Sequence, residues 1–468
     1  MAFGEDLELL LARALARHLP GFRSLARVSQ LTAGASLETY RLEVTLDSGP
    51  AALAMRRTPG GGEKLSSSHM PSLEAEAELF RVARAQGVPE PQVHAVFEPG
   101  DGLGHGFVME WLDGETLGNR IIKADELATI RPHLARQCGE ILARIHAIDL
   151  DASGLARHLQ RVPTGQLIRD AMAKYDAFGI SRPMLDYTGR WLIDHLPPEG
   201  ELALVHNDFR NGNLIVGPDG VRAVLDWEHA FIGDPMRDIG YLCSNSWRYG
   251  NSAMPVGGFG TYEDLFAGYQ SVSGKSVDRE RVRYWELFAS FWWALGCMEL
   301  ANQHRSGAAR SVERLAIGRR ISECEIDCVN ILIPGTVGNP TSTDAGTEFA
   351  DSAELIESVS EFLRGEVADL TDKRIAYLAR VAANSLDIVA RELCQGEAAE
   401  ALELAGIKEL LGHGGNLPTL RRELCMAIRE GRFALDDKDL TDHLRRTTAA
   451  LIAIDQPRYS GRKQVLGG

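Results

Sequence analysis

The stretch 204–238, LVHNDFRNGNLIVGPDGVRAVLDWEHAFIGDPMRD, constrains this chain more than any other. It sets His206-x-Asp208-x4-Asn213, then Asp226-Trp227-Glu228, then Asp238, on an apolar frame. Residues 202–205 are apolar and predict a buried strand that delivers the polar cluster. Residues 214–216 and 221–225 predict two more short strands, with Pro218-Asp219-Gly220 as the turn between them. A hairpin brings Asp208 and Asn213 on its loop beside Asp226 at the end of its returning strand. Two carboxylates and an amide carbonyl suit a hard, oxygen-seeking cation such as Mg2+. A carboxylate beside that cation can take a proton from an attacking hydroxyl. An acidic hairpin without chemistry would not require four polar positions at this spacing.

The run resembles the catalytic and metal-binding loops of the aminoglycoside phosphotransferase-like kinases, which share the protein-kinase fold. The resemblance implies an α+β, bilobal protein-kinase-like fold. It implies Asp208 as catalytic base, His206 and Asp238 as braces of the loop, and Arg210 as a further member of the catalytic set. Asn213 and Asp226 are the implied Mg2+ ligands, and ATP the implied phosphoryl donor.

With 468 residues the chain is long enough for two or three domains. Its 44% hydrophobic and 25% charged residues are those of a soluble globular protein. A net charge of -15 argues against nucleic acid as a partner. The cysteines at 138, 243, 297, 324, 328, 394 and 425 are scattered and odd in number, which fits thiols in a reducing compartment. MAFGEDLELL lacks the long apolar run of a signal peptide, and no segment is apolar enough to span a membrane. The expected location is cytoplasmic.

Residues 5–19 carry a helical leucine stripe ended by Pro20-Gly21. Strands are expected at 25–31 and 38–46, joined by Thr32-Ala33-Gly34-Ala35-Ser36. In the kinase fold this turn covers the nucleotide phosphates with backbone N–H groups, which makes Gly34, Ala35 and Ser36 cofactor-binding by resemblance. A third strand ends Ala54-Met55-Arg56-Arg57, where protein kinases carry lysine at the position of Arg56. Arginine keeps the charge and offers a fork to phosphate oxygens; Arg56 and Arg57 both remain open for that role. The helix at 73–86 has acids at 74, 76 and 78. The family places a glutamate here that pairs with the strand cation, and Glu76 is the expected one, with its neighbours one turn away. Met109-Glu110-Trp111-Leu112-Asp113-Gly114 is similar to a hinge whose backbone at Glu110 and Leu112 holds adenine.

Beyond Asp238 lie Ser246-Trp247-Arg248-Tyr249, a GGFG run, and arginines at 305, 310, 314, 319 and 320. These runs are similar to the hydroxyacyl-CoA kinase-like branch, including the kinase part fused to acyl-CoA dehydrogenases. That branch phosphorylates a hydroxyl on the acyl chain of a CoA thioester. The resemblance makes Glu228, Trp247, Arg248, Arg310 and Arg319 substrate residues; a solvated arginine face is the alternative. Other readings are a kinase of another small alcohol (an aminoglycoside, macrolide, choline or sugar) and a non-catalytic kinase-fold scaffold. The expected partners are a small-molecule CoA thioester and a second copy of the chain in a homodimer, with neither nucleic acid nor membrane.

Residues 334–350, rich in Gly, Thr and Pro, predict a linker. Five helices follow, two of them at 375–393 and 397–411 with Gly396 between, as a C-terminal all-α bundle similar to a small uncharacterised helical family. The expected boundaries are a small lobe at 1–112, a helical large lobe at 113–333, the linker at 334–350 and the bundle at 351–468.

Overall fold

The computed structural model describes residues 4–31, 37–62, 71–338, 352–370 and 372–467. Two compact units divide them, and they do not follow chain order. The first takes residues 1–163, 199–243 and 247–285; the second takes 164–198, 244–246 and 286–468.

In the first unit, alternating apolar positions build five antiparallel strands: β1 (Phe22–Gln30), β2 (Glu38–Leu46), β3 (Gly49–Arg57), β4 (Val93–Val96) and β5 (Gly106–Glu110), in the order β1-β2-β3-β5-β4. β2 has buried Tyr40, Leu42 and Val44 on one face, the period-two pattern of a half-covered sheet. The leucine stripe of Gly4–His18 packs Leu11 and Leu15 with those residues. Leu73–Ala85 lies on the other side, and its Leu79 and Phe80 join Phe107 in the larger core. Ser72 caps that helix by accepting from the Ala75 N–H at 3.2 Å. The helix Leu134–His146 follows a 3-10 turn, Arg131–His133, around Pro132, which lacks the N–H a helix interior needs.

The polar run folds as expected, into β6 (Ala203–Val205), β7 (Leu214–Gly217), β8 (Gly220–Val224) and β9 (Phe231–Gly233). β7 and β8 form the hairpin, and β6 pairs with β9. The Leu225 N–H donates to the Asn213 carbonyl at 2.8 Å, extending the hairpin ladder to the edge of the site.

The second unit is helical. Thr164–Ala177, Pro183–Asp194, the C-terminal part of Arg279–Arg305, Val312–Gly318 and Ile321–Leu332 share it with every helix after residue 351. Lys373–Leu411 is one continuous helix where two were expected. Gly396 does not stop it: a helix-interior glycine costs about 1 kcal/mol relative to alanine, and a long packed helix absorbs that. Buried polar pairs tie the late helices to the earlier ones. Arg429 bridges Asp186 and Asp176, and the Tyr175 hydroxyl donates to Asp186 at 3.0 Å. Tyr459 donates to Asp327 at 2.6 Å, and Asn330 donates to the Gly461 carbonyl at 2.8 Å. Asp186 and Asp327 are almost fully buried. A chain ending at Ile333 would strip both of these partners and uncover the apolar faces of Pro183–Asp194 and Ile321–Leu332. Such a fragment is expected to lose the cooperative unfolding of this unit, which a urea titration followed by tryptophan fluorescence would register as a broadened, early transition.

Candidate active site

The site lies within the first unit, where β3, Leu73–Ala85 and the β6–β9 segment meet. Arg56 is the link between them. Its guanidinium contacts Glu76 Oε1 at 2.8 Å and Asp226 Oδ1 at 2.7 Å. Strand alternation sends Arg57 to the opposite face, where its Nε donates to Glu38 Oε2 at 2.7 Å and the guanidinium lies over the Tyr40 ring. Glu74 pairs with His105 and Glu78 with Arg81. Of the two arginines and three acids left open by the sequence, only Arg56 and Glu76 meet at the site.

Asp226 has φ 73° and ψ 58°, a left-handed conformation that side-chain-bearing residues adopt at a cost of roughly 1–2 kcal/mol. Burial would push its carboxyl up, but Arg56, with His229 and Arg210, holds it at about 2. The usual carboxyl value is about 3.9. A depressed pKa contributes stability that is complete above the unfolded value and is lost as pH falls through the folded one. The urea midpoint of the native protein is therefore expected to fall more steeply between pH about 4 and about 2 than that of Asp226→Asn. Parallel slopes would show that Asp226 gains no proton on unfolding there.

Asp208 stands on the loop after β6. Its Oδ2 accepts from Asn213 Nδ2 at 2.5 Å and its Oδ1 from Arg210 Nε at 3.2 Å, and the buried Tyr241 lies near enough to feel its charge. Arg210 in turn stacks over the Trp247 ring, 4.8 Å from its centre. With Nδ2 bonded to Asp208, the Asn213 amide has its oxygen as the remaining acceptor.

Beneath this loop is a buried frame. Asp238 accepts from the His206 and Asn207 backbone N–H groups at 2.8 and 2.7 Å, and from His146 Nε2 at 3.2 Å. Burial raises the Asp238 carboxyl, yet the bond to His146 and these donors outweigh it and keep it below the usual carboxylate range. His206 Nε2 donates to the Leu225 carbonyl at 3.0 Å, and Nδ1 accepts from the Asp208 N–H at 3.3 Å. Burial lowers the His206 pKa, favouring the neutral ring that this pattern needs. His206 thus joins the catalytic loop to the strand that carries Asp226. Sequence reasoning passed over Asn207, which has φ 67°, receives the Arg237 Nε–H at 3.0 Å, and donates to the His229 carbonyl at 3.2 Å. An asparagine beside the catalytic aspartate was the available signal, since asparagine tolerates positive φ. Tyr241 and Glu90 were also missed; Glu90 accepts from Trp227 Nε1 at 3.1 Å.

The remaining expected positions divide. Gly34, Ala35 and Ser36 lie outside the described residues. The Glu110 N–H donates to the Gln92 carbonyl at 2.8 Å, and Leu112 follows β5. Glu228 is buried beside Asp226, and its charge reaches Arg56. Trp247 is brought to Arg210. Arg248 directs its guanidinium to the Cys243 and Pro255 carbonyls at 2.6–3.2 Å, which holds the local chain. Arg310 and Arg319 belong to the second unit, where Arg319 pairs with Asp455 at 2.6 Å and Glu392 at 3.2 Å.

Among the described residues no three or more His, Cys, Asp or Glu side chains are grouped to hold a metal by themselves. The oxygen donors of Asn213 and Asp226 fit a cation that completes its shell with phosphate oxygens and water, which is the habit of Mg2+. No helix among the described residues is long and apolar enough to cross a membrane.

Residues 27–274 match the model of a phosphotransferase enzyme family, and residues 369–459 match a domain of unknown function. The chain is 31% identical over 255 residues to acyl-CoA dehydrogenase family member 10 of Mus musculus, covering 52% of this chain and 22% of that protein. It is 31% identical over 251 residues to family member 11 of Gallus gallus, covering 49% of this chain and 30% of that one. It therefore spans about a fifth to a third of the length of these relatives. A crystal structure from Ralstonia eutropha, of a protein placed among the aminoglycoside phosphotransferases, superposes with a TM-score of 0.57 at 22% identity, covering 69% of this chain and 97% of that chain. That likeness shows a common fold.

Proposed function

The chain belongs to the phosphotransferase enzyme family, and from that premise we propose that it is an ATP-dependent kinase of small molecules whose acceptor is the hydroxyl of a hydroxyacyl-CoA. One observation carries the catalytic part: Asp208 and Asp226 are held on two sides of one hairpin, the first hydrogen-bonded to Asn213, the second ion-paired to Arg56. The acceptor part is supported by the similarity to acyl-CoA dehydrogenase family members 10 and 11.

Phosphoryl transfer asks a protein mainly for positioning and charge neutralisation. Arg56, fixed by Glu76, is placed to meet phosphate oxygens. Asp208 receives the acceptor's proton, and Arg210 and Asn213 hold its carboxylate in orientation. Asn213 and Asp226 would hold Mg2+, which when bound supplies neutralisation of the polyphosphate charge. We propose the backbone after β5, near Glu110 and Leu112, as the adenine contact, and residues 34–36 as the phosphate cover. Glu228 and Trp247 are the proposed acceptor contacts. The proposed boundaries remain 1–112 and 113–333 for the two lobes, 334–350 for the linker and 351–468 for the tail, in a cytoplasmic enzyme.

Turnover of ATP against hydroxyacyl-CoAs of several chain lengths, and against an aminoglycoside, a macrolide, choline and a sugar, tests the acceptor. The expected result is phosphorylation of a thioester at a kcat/KM at least about tenfold above every free alcohol, a difference of about 1.4 kcal/mol in transition-state binding. Preference for a free alcohol would replace the thioester reading and leave the kinase reading intact.

A further inference from the structure

The second unit contains a cavity of about 860 Å3, in the size range of small-molecule sites. Nothing in the phosphotransfer site uses it. Its walls come from the loop after Thr164–Ala177, from Arg279–Arg305, from Val312–Gly318 and from the tail helices Lys373–Leu411 and Leu417–Arg429. Ile180, Val312, Leu315 and Val389 line it and are 37–42% exposed. Single exposed apolar residues on a surface need no explanation, but several converging on one concavity do. They are helical and loop positions from three separate elements, so no single amphipathic face accounts for them.

The charge of the lining is equally one-sided. The chain carries a net charge of -15, yet among the described residues no acidic one lines this cavity, and five arginines do. Three are already committed: Arg182 to Glu325, Arg319 to Asp455 and Arg421 to Glu403. Arg305 and Arg422 are exposed, and no carboxylate among the described residues pairs with them. An apolar wall with arginines left to meet an anion selects an amphipathic anion.

We propose that this cavity is a second ligand site, which takes an acyl chain with an anionic head. The chain lies against Ile180, Val312, Leu315 and Val389, and Arg305 and Arg422 receive the head. The tail helices supply two of the walls, so the site exists only when the tail is present. The head could belong to a free fatty acid or to the phosphates of an acyl-CoA, and both present the same chemistry to arginine. The site goes beyond the proposed acceptor: its ligand needs no hydroxyl, and its occupancy does not depend on what is phosphorylated.

Calorimetric titration of the full-length protein with saturated, unhydroxylated probes tests this. Hexanoate, octanoate and decanoate form one arm, the matching CoA thioesters a second, and decanol is the neutral control. Affinity is expected to rise about fourfold per methylene until the cavity is filled, and decanol is expected to bind at least about tenfold more weakly than the better of the two decanoyl anions. The arm that binds more tightly identifies the source of the head. Leu315→Glu and Val389→Glu, both at exposed positions that the fold tolerates, are expected to abolish binding. The double variant Arg305→Glu, Arg422→Glu is expected to weaken the anions at least about tenfold and leave decanol unchanged. The far-UV circular dichroism and urea midpoint of each variant, expected to stay at the native values, certify the fold of the second unit. Absence of binding by every probe, affinity independent of chain length, or full affinity in both Leu315→Glu and Val389→Glu would overturn the proposal. Because no probe carries an acceptor hydroxyl, such a failure is separate from a failure of the hydroxyacyl-CoA reading.

Discussion

Asp208→Asn protein is expected to turn over about 10²- to 10⁴-fold more slowly than the native enzyme, the range for loss of a positioned general base. The amide is nearly the same size as the carboxylate, and its half-buried loop is held from beneath by Asp238, so its melting temperature and MgATP affinity should change little. The reason lies in what surrounds Asp208. Asn213 Nδ2 and Arg210 Nε both donate to this carboxylate. An asparagine at 208 keeps one acceptor oxygen and turns a donor towards groups that are themselves donors. It can neither take the acceptor's proton nor accept the full set of bonds. Single-turnover rates with saturating MgATP separate this effect from binding. A variant that retains native turnover would exclude Asp208 as the base, and another group near the acceptor would have to take its place.

Arg56→Met should be the most damaging single change to the first unit. Methionine fills much of the same volume but leaves Glu76, which is fully buried, without its cation, and removes a partner from Asp226. Breaking a buried ion pair by deleting one partner costs about 3–5 kcal/mol, because the surviving charge stays desolvated. A loss near that size is expected in the urea-derived stability of the unit. MgATP affinity should fall with it, since the same guanidinium is placed to meet phosphate. The double variant Arg56→Met, Glu76→Gln distinguishes the two effects. Neutralising Glu76 should recover most of the lost stability and none of the lost nucleotide affinity. Recovery of both would mean that Arg56 only supports the fold.

The sequence was most legible where chemistry and local structure coincide. The HNDFRNGN loop, the PDG turn and the LDWE strand end have their spacing written into a single hairpin, so Asp208, Asn213 and Asp226 could be grouped before any fold was known. A hairpin's geometry is local, and the backbone ladder from β7 to β8 enforces it. The helix expected at residues 73–86 runs Leu73–Ala85, and its Ser72 cap emerged only with the structure. What failed was also local in form but not in cause. Gly396 has the composition of a helix stop, yet packing on both sides carries Lys373–Leu411 through it. Which partners the tail helices pack against was not legible either, since an apolar face does not say what covers it. Arg429 on Asp186 and Tyr459 on Asp327 are contacts between distant parts of the chain that no period predicts.

By itself, then, the sequence determined most of the elements and the catalytic hairpin, because periodicity and turn chemistry act over a few residues, and the resemblance of that hairpin to a known family supplied the kind of fold. Tertiary structure alone decided which of two adjacent arginines enters the site. Both sit on β3, and alternation requires only that they face opposite ways. Glu76 and Asp226 on one side and Glu38 on the other settle which way each points. It also decided that Arg319 is held by Asp455 and Glu392, and that Arg305 and Arg422 are left beside an apolar cavity. A charged side chain's role depends on whether an opposite charge is brought within a few ångströms, and that is set by chain folding over hundreds of residues rather than by its neighbours in sequence.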